Sequence, residues 1–163
     1  MITPRSLTPA RAATLVLLGA LFALLVALAS QYWGELAPCE LCLDQRWALV
    51  AAGLLAAPGI FLETKPKAAR VFLLLAGAAA LVGAGIAVFH VGVEQHWWEG
   101  TSSCTTQIKA GMSAAEFEAA ILAAPVVRCD DIAWSLFGIS MAGYNILYSG
   151  ALGAFSLWQA RRH

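Results

Sequence analysis

Residues 38–47 read Pro-Cys-Glu-Leu-Cys-Leu-Asp-Gln-Arg-Trp, two cysteines three positions apart ahead of an apolar run. Such a pair can be a structural staple, half of a metal site, or a working dithiol. A helix that starts here favours a thiolate, because the N-terminal end of a helix carries partial positive charge. Cys42 and Arg46 are spaced i,i+4 and share a face if the helix has begun by Cys42, which sets a guanidinium beside the sulfur. Glu40 and Asp44 oppose that effect.

A structural zinc site usually repeats the Cys-x-x-Cys or adds paired histidines at short spacing. The remaining cysteines, Cys104 and Cys129, stand far apart, and His90 and His96 make no such pattern, so no metal is expected. Leu43 rather than histidine follows Cys42, which excludes covalent haem attachment. Taken alone, Cys104 and Cys129 are a plausible staple, whose bond would contribute ~3–4 kcal/mol by chain entropy. Two pairs in one small protein also suit thiol–disulfide exchange, which moves two electrons from one pair to the other. No Gly-rich dinucleotide fingerprint is present, so the acceptor suggested is a lipid-soluble two-electron carrier such as a quinone. Arg46 is placed to hold its oxygen.

The elements that must position these residues follow from composition. The chain has 163 residues, 60% hydrophobic and 12% charged, which suits a membrane protein and not a soluble domain. Formal net charge is zero without a strong basic patch, so no nucleic acid is expected. Four stretches, about 12–33, 43–62, 71–93 and 134–158, are each near the ~20 residues needed to cross a bilayer as helix. Ala27-Leu28-Ala29 resembles a signal-peptide cleavage site, but the preceding apolar core is too long for one, and a retained helix is expected. The expected fold is an all-α, four-transmembrane-helix bundle, a single integral membrane domain over 1–163, with redox loops at about 34–42 and 94–133.

Arg5, Arg11, Lys65, Lys67, Arg70, Arg161 and Arg162 fall on one side of the spans, which places both termini in the cytoplasm. The opposite side has Arg46, Lys109 and Arg128 as its only Lys or Arg residues and holds all four cysteines, which suits an oxidising compartment such as the bacterial periplasm. Trp33, Trp47, Trp97, Trp98 and Trp134 lie near the outer span ends as an aromatic belt would. In the second outer loop, Ser113-Ala-Ala-Glu116 matches a capping box, Phe117, Ile121 and Leu122 make an apolar strip, and Pro125 is a stop. This predicts a short amphipathic helix, lying on the membrane surface or packed on the bundle. Small residues at Ala79, Gly83 and Ala87, and at Gly138 and Ala142, are spaced for close helix contact.

With these residues in view, the chain resembles the DsbB family, quinone-dependent oxidants of periplasmic dithiols. The resemblance rests on Pro38 to Trp47, with its Cys-x-x-Cys and Gln45-Arg46, and on Cys129, Trp134 and the run Phe137 to Ala142. It implies an inner-membrane protein dithiol:quinone oxidoreductase that reoxidises a DsbA-type thioredoxin-fold partner. Cys104, paired with Cys129, would receive electrons from that partner; Cys39 and Cys42 would take them by exchange, and Cys42 would face a ubiquinone or menaquinone supported by Arg46. His90 would hydrogen-bond the quinone; the competing reading makes it an interfacial histidine with solvent-facing nitrogens. The segment Glu94 to Trp98 departs from the family wording, and His96 is left out of the site. A non-catalytic, disulfide-stapled scaffold of tetraspanin type is the alternative, but the Cys-Cys-Gly word of that family is missing. A small transporter would need an acid in mid-span. In vitamin K epoxide reductase-like proteins the Cys-x-x-Cys lies in a late helix, whereas here it opens the second.

Overall fold

The computed structural model describes residues 7–101, 104, 112–122 and 127–162. Arg5, Lys109 and Pro125 lie outside the described residues. Four long helices dominate: α1 (Pro9–Tyr32), α2 (Glu40–Ile60), α3 (Pro66–Glu94) and α5 (Met141–Arg161), with the short α4 at Ala114–Leu122. Helix starts are encoded locally. Thr8 caps α1 by accepting from Arg11 N–H, with Pro9 at the first position. Ser140 caps α5 by accepting from Gly143 N–H. Cys39 caps α2, its sulfur accepting from Cys42 N–H, so the Cys-x-x-Cys is itself a helix start.

The helices alternate in direction, and α3 packs against both α2 and α5 while α1 lies mainly on α2. Small residues permit the close approach. A Cβ on Gly77 would sit 2.8 Å from Ser156 Cβ, and one on Gly83 3.0 Å from Ala48 Cβ. Ala12, Ala13, Ala56, Ala76 and Ala160 are buried around Val16 and Leu73, whereas Leu18, Phe22, Leu25, Leu54, Val82 and Leu147 point outward. Small side chains inside and large apolar ones outside suit a protein whose surroundings are hydrocarbon. Helices α1 and α3 are long and apolar enough to cross a membrane. In α2 and α5 the polar residues Gln45, Ser149 and Ser156 dilute the apolar run and are turned inward.

The expected span 134–158 begins too early. Ser135–Leu136 and Ile139–Ser140 form a two-stranded antiparallel hairpin, with Ser135 opposite Ser140, and α5 starts only at Met141. Its two turn residues, Phe137 (φ 51°) and Gly138 (φ 77°), are both left-handed, which suits a type I′ turn. Gly138 therefore serves the turn and makes no helix contact; a Cβ there would meet nothing within 4 Å. Of the other small residues, Gly83 and Ala87 are buried and Ala79 is half-buried.

The capping box of α4 forms as expected: Ser113 N–H donates to Glu116 Oε2 at 2.8 Å, and Glu116 N–H to Ser113 Oγ at 3.4 Å. Phe117, Ile121 and Leu122 are exposed, so the apolar strip faces outward and is not packed on the bundle.

Where α3 ends, Trp98 folds back over it. Its indole N–H donates to Phe89 O, its ring stacks on Phe89 with centroids 5.9 Å apart, and a Cβ on Gly92 would fall into that ring. Alanine would gain roughly 1 kcal/mol of helix propensity, yet overpacking against a fixed ring costs ~1–3 kcal/mol. Gly92→Ala is therefore expected to lower stability by about 1 kcal/mol, read as a lower unfolding midpoint in detergent, and the loss should largely disappear in a Trp98→Ala background.

Candidate redox site

The C-terminal ends of α1 and α3 and the N-terminal ends of α2 and α5 meet at one end of the bundle, and all four cysteines lie there. Cys39, Leu41, Val93, Cys104 and Cys129 form one buried cluster, with Cys42, Phe89 and Val127 packed against it. Cys104 and Cys129 are disulfide-bonded and fully buried. Their main chains are also joined, Cys129 N–H donating to Cys104 O at 3.1 Å. Cys39 and Cys42 are free thiols, their sulfurs 3.0 Å apart.

Both free thiols precede the apolar run that begins at Leu43, at the N-terminal end of α2. The hydrogen bond from Cys39 lowers Cys42 to about 7, with burial opposing; the Cys39 main-chain contact and Arg46 add to the lowering, and Glu94 works against it. The same thiol–thiol bond, and then burial, pushes Cys39 up. Glu40 and Asp44, the acids that the sequence sets against ionisation, are exposed to solvent. The Cys39 hydrogen bond and the nearby Arg46 both favour a thiolate at Cys42.

Arg46 is half-buried and tied to the last turns of α1, donating from Nη1 to Gln31 Oε1 at 2.5 Å and from Nη2 to Ala27 O at 3.0 Å. A guanidinium has five N–H donors, so these bonds leave others to face the adjoining space. His90 is buried with both nitrogens engaged, not facing solvent as an interfacial histidine would. Its Nε2 lies 3.5 Å from Cys39 Sγ, and its Nδ1 lies 2.9 Å from Gln45 Nε2. His90 therefore links Gln45 to the Cys39–Cys42 pair. His96 is exposed, with φ 55° at the chain reversal after α3.

Several residues here had no assigned role in the sequence. Gln45 Nε2 donates to Leu41 O, Asn145 Nδ2 to Gln45 Oε1 at 2.6 Å, and Ser149 hydroxyl to Asn145 Oδ1 at 2.7 Å. Ser140 hydroxyl donates to the buried Glu94 carboxylate, whose other oxygen is 3.9 Å from His90 Nε2. Asn145 and Ser149 were discoverable as polar residues four apart in an apolar helix. Glu94, counted as a loop acid, carried no such signal.

A cavity of about 280 Å³ opens beside these groups. Cys42, Gln45, Arg46, His90 and Glu94 supply its polar wall; Phe22, Val26, Leu49 and Met141 supply apolar wall. Its size is close to the ~300 Å³ at the lower end for small-molecule sites. Apolar side chains with the Arg46 guanidinium among them could hold a mostly apolar molecule that carries polar oxygens.

Cys39, Cys42 and His90 also bring three ligand-type atoms within 4.8 Å of one another, the geometry of a partial metal site. The hydrogen bonds argue against that use. Because Gln45 Nε2 donates to a main-chain carbonyl, it must be the amide nitrogen, and it must also donate to His90 Nδ1. The ring then carries its hydrogen on Nε2, so the nitrogen facing Cys39 is a donor and has no lone pair for a cation.

A family model described as disulfide bond formation protein DsbB matches residues 9–159. Curated relatives share that description. A protein named disulfide bond formation protein B from Stutzerimonas stutzeri is 24% identical, covering 99% of this chain and 98% of its own. One of the same name from Methylococcus capsulatus is 31% identical over 93% of this chain and 97% of its own. A third, from Nitrosococcus oceani, is 29% identical over 87% and 86%. No solved structure matches.

Proposed function

From the premise that this chain belongs to the DsbB family, and so acts in disulfide bond formation, we propose that it is a dithiol:quinone oxidoreductase of the bacterial inner membrane. In this reading all four long helices span the bilayer as one domain over 1–163, both termini are cytoplasmic, and the cysteine end faces the periplasm. The observation that carries the reading is that both cysteine pairs share one buried cluster beside a mostly apolar cavity lined also by Arg46.

A DsbA-type partner in its dithiol form attacks the Cys104–Cys129 disulfide, leaves oxidised, and leaves that pair reduced. Exchange with a Cys39–Cys42 disulfide restores Cys104–Cys129 and places two electrons on Cys39 and Cys42. A ubiquinone or menaquinone would accept those two electrons with two protons, giving the quinol as the Cys39–Cys42 disulfide re-forms. Cys42 presents its sulfur to the cavity, Cys39 holds it by its thiol hydrogen, Arg46 supplies positive charge, and His90, with both nitrogens engaged, directs its N–H at Cys39 and not at the quinone.

The test is quinone absorbance in detergent-solubilised protein after adding a reduced DsbA-type dithiol. Loss of absorbance matched to donor oxidation and dependent on all four cysteines is the expected result; two inert pairs would reject the reading. Arg46→Ala is expected to raise the apparent quinone KM about tenfold, corresponding to the ~1.5 kcal/mol of one hydrogen bond to a charged group. An unchanged KM would remove Arg46 from the cavity's chemistry.

A further inference from the structure

The hydrogen bonds between α5 and the thiol pair all run one way. Ser149 donates to Asn145, Asn145 to Gln45, and Gln45 to His90 Nδ1. His90 Nε2–H then points at Cys39, and Cys39 donates to Cys42. One contact outside the chain sets its direction: Gln45 Nε2 also donates to Leu41 O, and a carbonyl can only accept. Reversing the Gln45 amide would set its oxygen against that carbonyl and its nitrogen against Asn145 Nδ2. In a buried setting, consecutive bonds of this kind polarise one another, and a reversal leaves groups unpaired.

We propose that Gln45 is a positioning residue: it holds His90 as the Nε2–H tautomer, so that His90 donates to Cys39, Cys39 turns its hydrogen onto Cys42, and Cys42 becomes the thiolate. Asn145 and Ser149 hold Gln45 in that orientation. The proposal deepens the redox reading and rests on Cys39 and Cys42 being the reactive pair. Other groups face the same sulfur or its cavity. They are Arg46 from α2, Glu94 from α3, Arg128 and Asp131 from the segment before α5, and Tyr144 and Tyr148 from α5. The residues of α1 that line the cavity do not titrate. These groups set a background charge, whereas Gln45 decides which nitrogen of His90 bears hydrogen.

Gln45→Glu reverses the link, because a carboxylate accepts and cannot donate. It should take hydrogen from His90 Nδ1 and turn the bare Nε2 lone pair toward Cys39, drawing the Cys39 hydrogen away from Cys42. The experiment uses the full chain in detergent, reduced, with 15N-labelled histidine. His90 is identified among the three histidines by comparison with His96→Gln and His163→Gln. The native protein should show His90 protonated at Nε2 and Gln45→Glu should show it protonated at Nδ1. In parallel, the pH profile of Cys42 alkylation should move up by about one unit in Gln45→Glu, roughly tenfold less thiolate on the acid side. Gln45→Met removes the donor without adding charge, and should give mixed tautomers and a smaller upward move. Native His90 protonated at Nδ1, or a Cys42 profile unmoved in both variants, would overturn the proposal. If the tautomer follows Gln45 while the thiols prove redox-inert toward quinone, the positioning role stands and the redox reading fails.

Discussion

Cys42→Ser is expected to reduce quinone reduction to the uncatalysed background, a loss of at least roughly a thousandfold, since a residue forming or passing the reactive bond has no substitute nearby. A serine at this position can still close the first turn of α2 and accept the Cys39 hydrogen, so the fold should survive. Its hydroxyl cannot ionise near neutral pH, and Cys39 cannot replace it, because Cys39 is the protonated partner and is held as the helix cap. Stopped-flow quinone absorbance with a small dithiol as donor checks this directly, since that donor bypasses any docking step. Activity within tenfold of the native protein would move the quinone-facing role away from Cys42. The pH dependence of the native rate provides a second check. The thiolate of Cys42 forms as pH rises through about 7, so the rate limited by that sulfur should rise across this range and level off above it.

Cys104→Ser should separate the two halves of the reaction. Turnover with a reduced DsbA-type protein should fall by at least roughly a hundredfold, because the disulfide that the donor attacks no longer exists. Quinone reduction driven by a small dithiol acting at Cys39 and Cys42 should stay within a few-fold of native. The released Cys129 lies in the same cluster as Cys39, so mixed disulfides between them are the expected side product, visible on a non-reducing peptide map. If protein-driven and small-dithiol rates fall together, Cys104 and Cys129 hold the site's shape and do not carry electrons.

The parts legible in the sequence are those with short-range causes. The capping box at Ser113 and Glu116, the helix start at the Cys-x-x-Cys, and the long apolar runs depend on spacing within one or two turns, and each is found. The hairpin before α5 was hidden by its own hydrophobicity. Trp134, Leu136, Phe137 and Ile139 extend the apolar pattern of the helix, and only Phe137-Gly138 between two such pairs signals the turn. The site was legible where the residue type is rare, as with the four cysteines, Arg46 and His90. The polar chain was not, because Gln45 and Asn145 are 100 positions apart and meet only when α2 and α5 pack on α3. Glu94 reads as a loop acid until Ser140 is brought beside it from across the chain.

The complete burial of Cys104 and Cys129 also bears on which thiols this protein oxidises. A strong oxidant open to solvent would react with every small thiol that diffuses past, and its oxidising power would be spent without making any protein disulfide. Here the electrophilic sulfurs offer a drifting thiol no surface to strike. In the proposed reading, entry at this bond needs a donor able to uncover it, whereas a small dithiol can work only at the half-buried Cys42 and its partner. Selectivity then comes from the work of uncovering the bond, a kinetic filter that leaves the thermodynamic drive of the couple intact.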